Sequence, residues 1–164
     1  MGTHIKPTCF IRWILLISVA LASGCASVPE IKPILVQKRS PVISYALSLQ
    51  GVPYRYGKES PSEGFDCSGF VKHVYEHHGI SLPRTTKEMA QALPPIPKSY
   101  LQPGDLVFFN TNGKPFSHVG IYVDHDDFIH APSRRTGKVL VSSLNNRYWR
   151  KHFTGIRRPR SKFN

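Results

Sequence analysis

The chain has 164 residues, 40% hydrophobic and 11% aromatic, and its 22 Lys and Arg outweigh 10 Asp and Glu to give a formal charge of +12. That length builds one domain with a real core and excludes two. The basic balance suits an anionic neighbourhood: nucleic acid, lipid headgroups or the acidic polymers of a cell envelope.

In chain order, Lys6 and Arg12 lead into the apolar run WILLISVALA at residues 13–22, which is too short to span a bilayer stably. Residues 1–24 therefore read as an export signal. The small residues of LASGC before Cys25 resemble the lipobox of bacterial lipoproteins. The resemblance implies cleavage before Cys25 and a lipid on it, which would tether the chain to a membrane. Ala26 and Ser27 follow without an aspartate, which by the same resemblance favours the periplasmic face of the outer membrane. Cleavage would discard Cys9 and two positive charges, leaving 140 residues with Cys67 as the one free thiol and no internal disulfide. Export makes nucleic acid the poorest of the anionic partners. Residues 25–40 contain prolines and lysines without an amphipathic period, so they read as a lipidated N-terminus and flexible tether. Residues 161–164 end a short basic tail.

A domain is expected over 41–160. Ser40-Pro41 is a good N-cap and N1 pair and predicts a helix to about Gln50. GVPYRYG breaks it. A second helix is expected over 67–78, with Phe70, Val71, Val74 and Tyr75 at helical spacing and Gly79 as the stop. RTTKEMAQAL predicts a third, capped by a threonine and halted by Pro94-Pro95. The period then changes. DLVFF reads as a strand buried on both faces, and SHVGIYV, DFIHA, VLVSSL and FTGIRR follow as short strands. Helices first and strands afterwards give an α+β fold with an antiparallel sheet.

Two strands carry chemistry. Pairing apolar with apolar between SHVGIYV and DFIHA requires paired positions with an even sum, which a three-residue loop at 124–126 provides. His118 and His130 then share a face as diagonal neighbours, with Gly120 opposite His130 leaving room for an approaching group. Cys67 sits at a helix start, where unpaired amides and the dipole favour a thiolate. His118 is the natural base and His130 the group that orients it. Backbone amides at the helix start are candidates for an oxyanion site. Asp66 reads as the N-cap of that helix. Tyr56 reads as a core aromatic, and His73, His77 and His78 as solvated helix residues. The Asp124, His125, Asp126 and Asp127 cluster is better explained by a tight turn than by a metal, and Cys67 has no second cysteine with which to share a zinc. Trp149 reads as packing. No cofactor and no metal are expected.

The ordered set GVPYRYG, GFDCSGFV, LPRTT, LQPGDLVFF, HVGIYV and FIHA closely resembles the NlpC family of bacterial cell-wall peptidases, over about residues 42–158. The resemblance implies a papain-like fold, with N-terminal helices packed on a central antiparallel sheet, and a cysteine peptidase acting on peptidoglycan stem peptides. By resemblance Cys67 is the nucleophile, His118 the base and His130 the orienting residue. Tyr54 would assist the oxyanion or substrate, and Asp66 and Ser68 would help hold the polar end of the stem peptide. YGKESPSEG departs from the family pattern, with a loop one residue longer before Cys67. The implied bond is γ-D-glutamyl-diaminopimelate. Alternatives are the D-alanyl-diaminopimelate cross-link, acyl transfer or amidase chemistry on the same triad, and a wall-binding lipoprotein with a vestigial site. No oligomeric state follows from the sequence.

Overall fold

Ser40 opens α1 (Pro41–Ser48), accepting from the Ile43 amide at 3.4 Å with Pro41 in the first turn, as a Ser-Pro pair should. The computed structural model describes residues 1–2 and 40–160. Cys9, Cys25, the export signal beyond its first two residues, the tether to residue 39 and the tail 161–164 lie outside the described residues. α1 ends two residues before the expected Gln50, capped by Leu49, and the chain turns at Gly51 with φ 87°.

Two strands of two residues each, β1 (Glu59–Ser60) and β2 (Gly64–Phe65), pair antiparallel before α2 (Cys67–Glu76). No sequence period exists at that length, so neither was predicted. α2 stops at Glu76 rather than His78, because the chain turns at 77–79 to place Gly79 at φ 74°. α3 (Thr86–Ala92) starts with a full capping box between Thr85 and Glu88. The strands β3 (Leu106–Phe109), β4 (His118–Asp124), β5 (Asp127–His130), β6 (Leu140–Ser143) and β7 (Phe153–Arg157) form one sheet in the order β6-β5-β4-β3-β7, every pair antiparallel. The fold is α+β, with N-terminal helices on a central antiparallel sheet. One helix departs from the helices-then-strands order: α4 (Arg147–His152), opened by Asn146, is too short to show a hydrophobic period.

Alternation divides the sheet into two faces. Leu106, Phe108, Val119, Ile121 and Ile129 pack with Ile43, Phe70, Val71, Val74 and Met89 from α1, α2 and α3. Val107, Phe109, Tyr122, Phe128 and Ile156 form a second cluster, closed by Trp149 and Phe153. All four residues of β3 have no solvent exposure, as its apolar run predicts. Burial of each such side chain contributes roughly 2 kcal/mol. Arg158 holds the end of the domain to the start of β3 through Asp105, which is 1% exposed, with contacts of 2.7 and 2.8 Å.

Two aromatic expectations are corrected. Tyr56 is 78% exposed rather than in the core, because it falls in the turn between α1 and β1. His73 is half-buried rather than solvated, hydrogen-bonded at 2.9 Å to the hydroxyl of Tyr45 in α1, whereas His77 is exposed as expected and stacks on the Tyr45 ring at 3.8 Å. Spacing of four residues puts both rings on one side of α2.

Candidate active site

The β4–β5 hairpin has the expected body and an unexpected tip. Ile121 pairs with Ile129 and Tyr122 with Phe128, the even-sum register, yet the turn holds two residues, His125 and Asp126, both at positive φ. A bulge between Tyr122 and Asp124 absorbs the difference. Asp124 accepts from the His125 amide at 2.8 Å and Asp126 from the Asn145 side chain, so the acidic cluster serves the turn.

The register brings His118 and His130 together. His118 Nε2 lies 2.7 Å from His130 Nδ1, and His130 Nε2 lies 2.9 Å from Ser142 Oγ. His118 is 3% exposed and His130 fully buried. Trp149 stacks on His118 at 5.4 Å and meets His130 edge-on at 4.8 Å, while Phe128 lies 4.6 Å from His130. Trp149 is packing, as expected, but what it packs is the imidazole pair. Gly120 does not leave room for an approaching group. A Cβ there would lie 2.7 Å from the Phe128 ring and 3.2 Å from His130 Cβ, so glycine is needed for the two strands to carry these rings.

Cys67 begins α2 and is half-buried. The β4–β5 ladder stops at Ile121, and the amide of Val119, beyond it, faces the sulfur together with those of Ser68 and Cys67. The thiol thus reaches β4 at Val119, the residue after His118, and makes no hydrogen bond to the His118 ring; catalytic contacts often tighten only with substrate. His118 Nδ1 is the ring nitrogen left free by the bond to His130. Tyr54 lies close enough for its ionisation to feel the Cys67 and Asp66 charges. Burial first, and then those charges, raise its pKa, so its hydroxyl stays protonated as a donor.

Asp66 and Ser68 belong to a network that sequence reasoning left incomplete. Asp66 accepts from the Gly69 amide at 2.7 Å as the N-cap and from the Gly57 amide at 2.9 Å. Arg84 reaches both its oxygens, at 3.1 and 2.8 Å, and donates to Ser68 Oγ at 2.9 Å. Arg84 stands in LPRTT, and nothing local in that string marks it as the partner of a residue 18 positions away. Its side chain is 34% exposed, so it is the member of the network that meets solvent.

Electrostatics correct the expected thiolate. Burial, and next the Asp66 carboxylate, push the Cys67 thiol up to about 11, outweighing the amides that favour the anion. Burial holds His118 down at about 4, and burial with the neighbouring His118 lowers His130 well below 6.5. At neutral pH the pair is therefore thiol and neutral imidazole. The helix start was expected to make the sulfur anionic, but its cap is itself a carboxylate.

A stability profile follows. Between 6.5 and about 4 the unfolded chain takes up a proton at His118 that the folded chain refuses, so stability is full above 6.5 and falls as pH drops through that interval, by roughly 3 kcal/mol. Between 9 and about 11 the folded chain keeps the Cys67 proton that the unfolded chain has lost, so stability falls again as pH rises. Urea melts at pH 7.5, 5 and 4 should show the acid loss, and His118→Gln should reduce it; an unchanged acid slope in that variant would remove His118 as its source.

Two clefts open against residues of the candidate site, Tyr54 and His130. One, about 630 Å3, is lined by Tyr54, Arg55, Lys58 and Arg134; the other, about 490 Å3, by His130, Arg135, Ser142, Tyr148 and Trp149. The loop 132–137 separates them and is tied to Tyr54 through the Gly137 carbonyl at 2.8 Å.

A family model described as the NlpC/P60 family matches residues 51–158. The murein DD-endopeptidase MepH of Escherichia coli K12 is 45% identical over 129 residues, 75% of this chain and 47% of that protein. The gamma-DL-glutamyl hydrolase of Bacillus subtilis 168 is 42% identical over 120 residues, 72% of this chain and 29% of that one. Among solved structures, a Staphylococcus aureus Mu50 protein described as similar to a lipoprotein of the NLP/P60 family superposes with a TM-score of 0.66 at 36% identity, covering 73% of this chain and 40% of that chain. The chain spans less than half the length of each of these three.

Proposed function

This chain belongs to the NlpC/P60 family, and from that we propose that it is a peptidoglycan hydrolase, a cysteine endopeptidase that cuts stem peptides at the γ-D-glutamyl-diaminopimelate bond. The observation that carries the reading is the buried His118–His130 pair, with one His118 ring nitrogen left free, on the strand whose Val119 amide meets the Cys67 sulfur. Cys67 Sγ attacks the carbonyl carbon as its proton passes to His118 Nδ1, forming the C–S bond of a tetrahedral intermediate. Amides at the start of α2 and the Tyr54 hydroxyl would donate to the oxyanion. The C–N bond then breaks with the His118 proton going to the departing amine, and water, deprotonated by His118, releases the acyl group from sulfur. Protonation of the amine by His118 assigns the leaving half to the cleft containing His130 and the acyl half to the cleft containing Tyr54.

The charge of the clefts supports the choice of bond. Arg134 faces the acyl side and Arg135 the leaving side, and neither has an ion-pair partner among the described residues. In a γ-D-glutamyl-diaminopimelate amide the acyl residue itself carries a free carboxylate, the α-carboxylate of glutamate, and the amine half carries the carboxylate at the far centre of diaminopimelate. In a D-alanyl-diaminopimelate cross-link the acyl residue has no free carboxylate, because the alanine carboxyl is the one in the bond, and the amine half carries one next to the nitrogen. The names of the relatives include a murein DD-endopeptidase and a gamma-DL-glutamyl hydrolase. Incubated with a tetrapeptide monomer and a cross-linked dimer, the full chain should split the monomer between glutamate and diaminopimelate, with Arg134→Gln raising KM about tenfold. Dimer cleaved to intact monomers would assign the cross-link instead, and fragments joined to an added amine would assign acyl transfer. Export, the lipid on Cys25 and the outer-membrane location belong to the same proposal and rest on the LASGC pattern.

A further inference from the structure

The free nitrogen of His118 can act as a base only if protons along the histidine pair are arranged in one of two possible ways. In the first, His118 carries its proton on Nε2 and donates to His130 Nδ1, His130 carries its own on Nε2, and that N–H donates onward. His118 Nδ1 then presents a lone pair. In the second, His130 donates from Nδ1 to His118 Nε2, which forces the His118 proton onto Nδ1, and no base is available. Both arrangements satisfy the 2.7 Å contact equally, so the contact does not choose between them.

The choice lies at the far end of the pair. We propose that Ser142 is a positioning residue that holds His130 in the Nε2-protonated form by accepting its proton, and so keeps His118 Nδ1 open to the thiol. The inference rests on the peptidase reading for its catalytic meaning, although the proton arrangement itself is a property of the free protein. Ser142 pairs with Phe128 across the β5–β6 ladder, which puts its hydroxyl on the face that holds His130. Its Oγ is 2.9 Å from His130 Nε2 and is the polar partner of that nitrogen. Phe128 and Trp149 close the rest of the surroundings with aromatic surface. The hydroxyl must place its own proton elsewhere when it accepts. It lines the 490 Å3 cleft with Thr111 and Asn146, so solvent and polar groups there can take that proton. A fully buried imidazole without this acceptor would leave an N–H unpaired and would move the proton to Nδ1, the unreactive arrangement.

Threonine and valine at position 142 have the same shape, suit a strand and differ in the hydroxyl, and valine also excludes water from the vacated site. Nitrogen-15 NMR of histidine-labelled full chain reads the tautomer without substrate, with His130 assigned through His130→Asn. Wild type and Ser142→Thr should show His130 protonated on Nε2, and Ser142→Val should move that proton to Nδ1. On stem peptide, Ser142→Val should lower kcat at least about tenfold with KM within twofold, and Ser142→Thr should keep most of the activity. A His130 tautomer unchanged in Ser142→Val overturns the inference, as does a moved proton with kcat intact. Wild-type activity that survives loss of Cys67 would sink the peptidase reading while leaving the tautomer result to stand or fall by itself.

Discussion

Cys67→Ala should release no fragments from purified sacculi while melting within a degree or two of wild type. The expected loss is at least about 10^4-fold in kcat, about 5.5 kcal/mol of transition-state stabilisation, because the acyl intermediate of the proposed reaction forms on the Cys67 sulfur. The fold should tolerate the change. The sulfur is half-buried at the first turn of α2, where alanine is a good helix former, and the cap, Asp66, is untouched. Cys67→Ser should also fold and should be nearly as inactive, since a serine hydroxyl beside a neutral imidazole is a much weaker nucleophile than a thiol that can ionise. Mass spectrometry of the soluble products checks both. Fragments of unchanged mass and amount from Cys67→Ala would overturn the mechanism, and a cellular effect that survives the substitution would favour a wall-binding protein.

Asp66→Ala should have the largest effect on stability. One carboxylate caps α2 through Gly69, closes the preceding turn through Gly57 and takes two contacts from Arg84. Alanine leaves two amides and a guanidinium without that partner. Loss of the cap costs about 1 kcal/mol. Breaking the ion pair adds roughly 2 kcal/mol, a value reduced from the fully buried case because Arg84 is a third exposed. A fall of about 3 kcal/mol, near 10 °C in Tm for a domain of this size, is expected. Asp66→Asn retains a capping oxygen and should lose about half as much. Activity should fall with both, through kcat, since two of the amides that face Cys67, its own and that of Ser68, belong to the turn that Asp66 holds. If Asp66→Ala melted like wild type and raised only KM, Asp66 would instead be a group that binds substrate directly.

Part of the candidate site is legible one residue at a time. Ser40-Pro41, Asp66, Thr85 with Glu88, and Gly79 mark helix ends because caps and left-handed stops are local chemistry, decided by a few neighbouring amides. The even-sum register between β4 and β5 was likewise available from alternation, and it put His118 and His130 on one face. The loop that delivers the register was not available, since a two-residue turn with a bulge and a three-residue turn give the same body.

The sequence by itself determined the order of helices and strands, the helix start at Cys67 and the pairing of the two histidines, all of which follow from contacts between near neighbours or from the period of two along a strand. Only the tertiary structure decided that Arg84 closes on Asp66, that Ser142 rather than Ser143 meets His130, and that Trp149 covers both rings. It also decided the charge on the sulfur. Dipole and amides at a helix start are local and were read correctly as favouring the anion, but the desolvation that outweighs them depends on how much of the chain packs around Cys67, and that is known only once distant segments have met.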